Sequence, residues 1–227
     1  MKKINKPLHA IFFIIIILEI ISRWFDNQSL EYVAKPFIMV WITVYYVLNE
    51  RRNNLSISLL LAFFFSWLGD IFLMLAHKNE LFFFAGVGGF LVAQCFFIYT
   101  FLRADGSSKR GYLARKPIFL VFFLIVLGIM IWYLYDGLDG IMIPIVIIYG
   151  ISLVGMSAAA FNRLGKANIS SFRLVFYGSV AFVISDTLIA VTKFKADIPK
   201  ASLIIMVTYI LAEYMIMRGM LIIKPGK

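Results

Sequence analysis

The sequence predicts an all-α, polytopic membrane protein with eight transmembrane helices, and three observations support this fold class. The 227 residues are 62% hydrophobic and 15% charged, whereas soluble domains are roughly 45–50% apolar and about 25% charged. Eight apolar stretches approach the length of about 20 residues at which a helix crosses the hydrocarbon core of a bilayer. Only short polar connections separate these stretches, so residues 1–227 are predicted to form a single integral membrane domain.

The predicted spans alternate with connections that contain Asn, Gly, Ser, Asp, Lys and Arg, as turns at a membrane surface do. The first span follows basic residues, as the apolar part of a signal peptide does, but it lacks a small-residue cleavage site and reaches Glu19. It is therefore predicted to be a retained helix. The spans cover about residues 8–23, 32–49, 55–76, 80–103, 117–135, 141–161, 172–194 and 200–223.

Glycines and acidic residues characterise the later elements. The fourth span contains Gly86-Val-Gly-Gly89, which predicts close packing against a neighbouring helix. Asp136 and Asp139, in the sequence YDGLDG, predict an external turn between the fifth and sixth spans.

Basic residues are distributed unequally between the two predicted membrane faces. Sixteen Lys and Arg residues lie on the side of the amino terminus, and six lie on the opposite side. Because cytoplasmic loops carry the excess of positive charge, both termini are predicted to face the cytoplasm, in a multi-pass protein of the cell (inner) membrane. The net charge of +10 is attributed to topology and to contact with anionic lipid headgroups. No nucleic-acid partner is expected, because no recognition module accompanies the basic residues.

Two pairs of motifs indicate an internal repeat. FSWLGD at 65–70 parallels FVISD at 182–186, and FLVAQ at 90–94 parallels YILAE at 209–213. The offsets between the matched polar residues are 116 and 119, and Pro36 and Pro144 show a similar offset of 108. The chain is therefore predicted to contain two parallel four-helix repeats, about 8–103 and 117–223, related by an axis along the membrane normal.

Asp70 and Asp186 are the candidate catalytic residues. They lie 15 and 14 residues into spans that run in the same direction, which places both about 21–23 Å from the cytoplasmic end. An aspartate near the centre of a membrane helix costs about 2.5–3.5 kcal/mol on insertion, so such residues are functional candidates. The repeat predicts that they face each other as an acid/base couple, one keeping its proton while the other is charged. The alternative for each is a helix-to-helix hydrogen bond or a position near the interface.

Three side chains near these acids are candidates for supporting them or binding a headgroup. Ser66 lies one turn before Asp70 on the same helix face, and Ser185 immediately precedes Asp186. Lys35, near the outer membrane face, is expected to pair with a phosphate or with one of the acids, unless it snorkels to the interface.

Other acidic and amide side chains lie at different depths in the predicted spans. Gln94 and Glu213 lie deeper than the two aspartates, and for Gln94 a structural hydrogen bond across the repeat axis is favoured. Glu19, near the outer end of the first span, is expected at the interface.

Several chemistries are excluded by the positions of the residues that they need. The two histidines, His9 and His77, lie at opposite predicted membrane faces, so they cannot form a His-based zinc cluster or a Ser-His-Asp arrangement. The sequence contains no P-loop and no dinucleotide fingerprint. Neither a metal nor a cofactor is expected.

Five motifs together resemble the YhhN family, whose animal members are transmembrane lysoplasmalogenases. The resemblance runs from about residue 32 to 220, and the segments that contain GD and SD are its most specific parts. The motifs are YVAKPF, FSWLGDIFLM, FLVAQCFFIYTF, AFVISDTLIAVTKF and YILAEYM.

The resemblance implies an eight-span hydrolase that cleaves the vinyl ether bond of lysoplasmalogens, with Asp70 and Asp186 as its catalytic pair. The products would be a fatty aldehyde and glycerophosphoethanolamine or glycerophosphocholine, and the partners would be the lysophospholipid substrate and membrane lipids. The tyrosine that begins YILAEYM, Tyr209, would be a supporting residue. The chain departs from the family pattern at Gln94, where His is expected, and at Glu213, where Gln is expected.

Two other classes of function are compatible with the sequence. A proton-coupled transporter also combines repeated halves with acidic residues inside the membrane, and a lipid-binding membrane protein would need no turnover. Transporters usually interrupt their spans with Gly or Pro at the binding site, whereas the third and seventh spans contain only Gly69 and Gly178. This difference favours the enzyme.

Overall fold

A computed structural model describes residues 5–50, 54–103 and 110–223 of the chain. Within these ranges the chain is helical and contains no strand, which confirms the predicted all-α fold class. The helices are α1 (Asn5–Trp24), α2 (Gln28–Asn49), α3 (Ile57–Met74), α4 (Glu80–Arg103), α5 (Tyr112–Arg115), α6 (Leu120–Leu134), α7 (Met142–Phe161), α8 (Ile169–Phe194) and α9 (Ala201–Leu221).

Eight segments in the described ranges are long and apolar enough to cross a membrane, and they coincide with the eight predicted spans. Short 3₁₀ turns flank α6 and extend its span to Pro117–Gly137. The short helix α5, in the connection before that span, is not predicted by the apolar pattern. The orientation of the termini and the internal repeat stay predictions.

Polar residues that cap the helices explain where the predicted ends differ from the structure. α2 begins at Gln28 because the side chain of Asn27 accepts a hydrogen bond from the backbone nitrogen of Leu30 at 3.1 Å. Such a cap satisfies an amide that the first turn leaves without a partner. The apolar pattern places the start of this span near residue 32, because the first turn of the helix is polar.

The chain divides into two compact units, residues 1–93 and 94–227, and the boundary between them lies within α4. In the first unit α1 packs on α2 and α2 packs on α3. The Trp41 ring of α2 stacks on the Phe12 ring of α1 with centroids 4.0 Å apart. α3 and α4 approach closely, since a Cβ added at Gly89 would lie 3.0 Å from the backbone nitrogen of Gly69. The prediction of close packing by this glycine-rich segment is therefore confirmed.

In the second unit α6 packs on α7, α7 packs on α8, and α8 and α9 form a tightly packed hairpin. Two glycines bring the hairpin helices together. A Cβ added at Gly219 would lie 2.6 Å from the side chain of Val175, and one added at Gly178 would lie 3.0 Å from the carbonyl oxygen of Ala212. This close approach packs the backbones of α8 and α9 against each other.

Candidate functional site

Asp70, in the first unit, is buried beside a cation. Only 3% of its surface is exposed, and its Oδ1 lies 3.6 Å from Nζ of Lys35, which is also buried. Burying a charge is costly unless it is paired, and opposite charges attract strongly in surroundings of low dielectric constant. The separation is longer than a direct hydrogen bond. Because an ammonium group has three N–H donors, Lys35 can bind a further acceptor without leaving Asp70.

Lys35 points into the protein because it belongs to the buried face of α2. A helix buries residues that recur every three or four positions, and Lys35 takes its place in that series. The sequence left open whether Lys35 snorkels to the interface or pairs with an acid, and the structure shows the pair with Asp70. The buried face of α2 includes Lys35, Ile38, Met39, Ile42, Tyr45 and Tyr46.

Two polar groups on α3 next to Asp70 have no hydrogen-bond partner within the described part of the chain. They are the hydroxyl of Ser66, which is fully buried, and the indole N–H of Trp67. Serine in a membrane helix can bond to a carbonyl of the preceding turn, but Ser66 does not. A buried donor without an acceptor costs about 1–3 kcal/mol. Both are buried donors whose hydrogen-bonding capacity the described residues leave unused.

Asp186, in the second unit, receives hydrogen bonds from two neutral side chains. It is 4% exposed, and its Oδ2 accepts a hydrogen bond from Nε2 of Gln94 at 3.2 Å. The hydroxyl of Tyr149 on α7 donates to the same oxygen. The three side chains form one network, which fixes the orientation of the carboxyl group.

Sequence reasoning missed Tyr149, although its depth gives a signal. Tyr149 lies seven residues after the start of α7, and Asp186 lies eight residues before the end of α8. Because α7 and α8 are consecutive spans, the start of α7 and the end of α8 lie on the same side of the membrane. At 1.5 Å per residue both are about 10–12 Å from those helix ends. Matching polar residues by depth across neighbouring spans would therefore have found Tyr149.

Gln94 contacts Asp186, although residue counting along α4 predicts a deeper position with a structural bond across the repeat axis. α4 has 24 residues, so at 1.5 Å per residue it is about 36 Å long, longer than the hydrocarbon core of about 30 Å. Its first turn is exposed and begins with Glu80. Counting depth from that turn therefore overestimates how deep Gln94 lies.

The remaining candidates of the second unit lie in the packing between α8 and α9. The hydroxyl of Ser185 donates to the carbonyl oxygen of Ile205 at 3.1 Å, so it joins the two helices. Tyr209 is buried, with its ring edge against Phe182 and ring centroids 5.8 Å apart. Glu213 is fully buried on α9. The structure thus brings Tyr149 and Gln94 to Asp186, and gives Ser185 and Tyr209 contacts between helices.

Glu19 is buried within the protein, and its expected position at the membrane interface stays a prediction. Its carboxylate accepts a hydrogen bond from Nε of Arg23 at 2.9 Å, and Nη2 of Arg23 lies 2.5 Å from Glu31 on α2. Glu19 and Arg23 are four residues apart, a spacing at which opposite charges pair on a helix. The local partner explains why this side chain, five residues before the end of α1, is buried.

These observations define a class of protein: a polytopic integral membrane protein with two aspartates buried among polar partners from other helices. Comparison with known families identifies it further, because residues 30–220 match the YhhN family. The match covers most of the chain, and the protein therefore belongs to the YhhN family. Comparisons with curated proteins and with solved structures give no match.

Proposed function

We propose that this protein is a membrane-embedded hydrolase that cleaves the vinyl ether bond of lysoplasmalogen-type lysophospholipids. Its family supports the proposal, because the animal members that the chain resembles are lysoplasmalogenases. The observation that carries it is the burial of Asp70 and Asp186 in the protein, where neither side chain faces lipid. Each acid has a polar partner from another helix.

The reaction needs one proton donor and one group that stabilises positive charge. An acid protonates the alkene carbon that is not bonded to oxygen, and the positive charge is then shared by the other alkene carbon and the ether oxygen. Water adds to this oxocarbenium ion and loses a proton. The resulting hemiacetal collapses to a fatty aldehyde and the free hydroxyl of glycerophosphoethanolamine or glycerophosphocholine.

We assign the two catalytic tasks to Asp70 and Asp186 as a pair. A carboxylic acid supplies the proton, and a carboxylate stabilises the cation and orients the water, as in glycoside hydrolysis. Tyr149 and Gln94 are positioning residues, because their hydrogen bonds meet at one oxygen of Asp186 and restrict the carboxyl group. Lys35 offsets the cost of burying Asp70.

The backbone of α3 and α8 favours this hydrolase over a transporter. Transporters of repeated architecture usually bind substrate at broken helices, where unwound backbone supplies ligands. Here both aspartates lie on uninterrupted helices, Ile57–Met74 and Ile169–Phe194. The groups that contact the two acids are therefore side chains, Lys35, Gln94 and Tyr149, and not unwound backbone. Side-chain partners of this kind are what acid/base catalysis uses.

The test is to supply the purified protein with a lysoplasmalogen and to measure the aldehyde released. We expect Asp70→Asn and Asp186→Asn each to lower kcat by about 10²–10⁴-fold, the range for loss of a general acid or base. Asp136→Asn is the matched control, because Asp136 is exposed in the 3₁₀ turn at the end of its span and pairs with Lys195 at 3.1 Å. It should keep full activity.

Three outcomes would contradict the proposal. The first is no aldehyde from the folded wild-type protein, and the second is full turnover by either buried-aspartate variant. The third is equal loss in the Asp136→Asn control, which would attribute the effect to carboxyl groups in general. Retained folding is checked for each variant by its thermal unfolding in detergent.

A further inference from the structure

An apolar groove lies between α2 and α3 in the first unit. Its volume is about 270 Å³, and its wall is formed by Met39, Val40 and Val44 of α2 and by Phe63, Phe64 and Trp67 of α3. Val40, Val44 and Phe64 are exposed, so the groove opens sideways on the surface that faces lipid. Pockets for whole small molecules measure about 300–1,000 Å³, so this groove can hold only a segment of a single hydrocarbon chain.

The ion pair of Asp70 and Lys35 lies at one end of this groove. Lys35 is one helical turn before Met39 on α2, and Asp70 is one turn after Trp67 on α3. The groove wall itself runs from Met39 to Val44 and from Phe63 to Trp67, about 6–8 Å at 1.5 Å per residue. The distance from the ion pair to the far end, at Val44 and Phe63, is about 10–14 Å, close to the hydrocarbon thickness of one leaflet, about 15 Å.

Trp67, which lines the groove, lies one turn from Asp70 on α3. Its indole N–H is buried and has no acceptor among the described residues. A hydrocarbon chain alone cannot satisfy it, whereas a lipid with an ether or hydroxyl oxygen at the head of its chain can. The fully buried hydroxyl of Ser66, one residue away, has the same need.

Beyond the pair, both helices end within a short distance. α2 begins seven residues before Lys35 and α3 ends four residues after Asp70, distances of about 6–10 Å along the helices. Lys78 follows the end of α3, is exposed, and lies 5.6 Å from the centre of the Tyr32 ring. A phosphate at this surface would meet a cation.

We propose that the α2–α3 groove binds the single hydrocarbon chain of a lysophospholipid, with its headgroup toward Lys78. In this pose the junction between chain and glycerol, which contains the scissile bond of a vinyl ether lipid, lies level with Asp70. The identity of the lipid rests on the proposed function. The groove itself rests on its apolar wall, the ion pair one turn beyond it and the exposed cation Lys78.

Tryptophan fluorescence tests the groove without any turnover. The probe is an alkyl lysophosphocholine that carries bromine atoms in mid-chain, at low mole fraction in vesicles of unbrominated phosphatidylcholine. Trp67→Phe and Trp132→Phe each remove one tryptophan. The difference from the unsubstituted protein then gives the signal of the groove tryptophan Trp67 and of Trp132, an exposed tryptophan on α6. We expect the probe to quench Trp67 to a greater fraction than Trp132. Equal quenching would mean that the probe contacts both as ordinary surrounding lipid, and would overturn the proposal.

A filled groove provides the second arm of the test. Val40→Phe places a ring in the groove, and Val47→Phe is the matched control on the same helix, at an exposed valine outside the groove wall. We expect Val40→Phe to abolish the excess quenching of Trp67 and Val47→Phe to preserve it. If Val40→Phe does not fold, Val44→Phe makes the same test one turn away. Excess quenching that survives a filled groove would refute the site.

The two proposals fail separately. Excess quenching with no aldehyde from a lysoplasmalogen would retain the groove and reject the hydrolase. Aldehyde release without excess quenching would retain the hydrolase and reject the groove. In an active enzyme, Val40→Phe should raise KM while leaving kcat close to that of the Val47→Phe control.

Discussion

Replacing Tyr149 with phenylalanine removes a side-chain donor to Oδ2 of Asp186. The ring remains, so packing changes little, and Gln94 still donates to the same oxygen at 3.2 Å. A hydrogen bond to a charged group contributes about 1.5–3 kcal/mol, and bonds between membrane helices average about 0.6 kcal/mol with a maximum near 1.7. From these two ranges, loss of the hydrogen bond from Tyr149 should cost about 1–2 kcal/mol.

If that hydrogen bond holds Asp186 in its reactive orientation, its loss appears mainly in kcat. At 1.36 kcal/mol for each tenfold change in rate, the expected loss is roughly 5- to 30-fold in aldehyde release. Substrate binding should change little, because Tyr149 is assigned to the acid and not to the lipid. The assay is steady-state release of aldehyde from a lysoplasmalogen by the purified variant, with kcat and KM measured separately.

Tyr177→Phe is the matched control, since Tyr177 is an exposed tyrosine on α8 and loses the same hydroxyl. Its activity should equal that of the wild type. Unchanged kcat in Tyr149→Phe would refute a positioning role for the hydroxyl. A rise in KM with unchanged kcat would indicate that Tyr149 contacts the lipid substrate and does not position Asp186.

Two further predictions concern stability, measured as thermal unfolding in detergent. Lys35→Met removes the ammonium beside buried Asp70. It should destabilise the protein by about 3 kcal/mol, the lower end for breaking a buried ion pair. Adding Asp70→Asn should restore part of that stability, and no restoration would contradict a direct ion pair. Gly219→Ala places a Cβ 2.6 Å from the side chain of Val175 and should lower the stability by about 1–3 kcal/mol through overpacking. Gly128→Ala is the control, because its added Cβ would have no atom within 4 Å, and it should leave the stability unchanged. Equal effects of the two alanines would refute the close approach of α8 and α9.

The helices could be predicted from the sequence because the bilayer leaves the backbone no alternative. In hydrocarbon every backbone amide and carbonyl needs an internal partner, so an apolar stretch of sufficient length becomes a helix. Helix ends lie in polar surroundings, where a side chain such as Asn27 decides the first turn. The apolar pattern therefore locates the middle of α2 better than its start.

The candidate site could be predicted only in part, because its members differ in how much they cost inside a membrane. Asp70 and Asp186 stand out since a buried carboxyl is expensive, whereas Tyr149 is one of 11 tyrosines, and a tyrosine is compatible with an apolar span. Which side chains meet an acid depends on the rotation of each helix about its axis, and one sequence does not give that rotation. Glu19 shows the converse, since a costly residue can be satisfied by a local ion pair.

A double variant tests whether Asp70 and Asp186 serve one reaction. Residues that act as a unit lose activity non-additively, because removing either member already abolishes the shared step. Asp70→Asn/Asp186→Asn should therefore be no slower than the slower single variant. Losses that multiply in the double variant would mean independent roles, such as catalysis by one acid and helix packing by the other. That result would reject a catalytic pair even if Asp70→Asn and Asp186→Asn each showed the expected loss of aldehyde release.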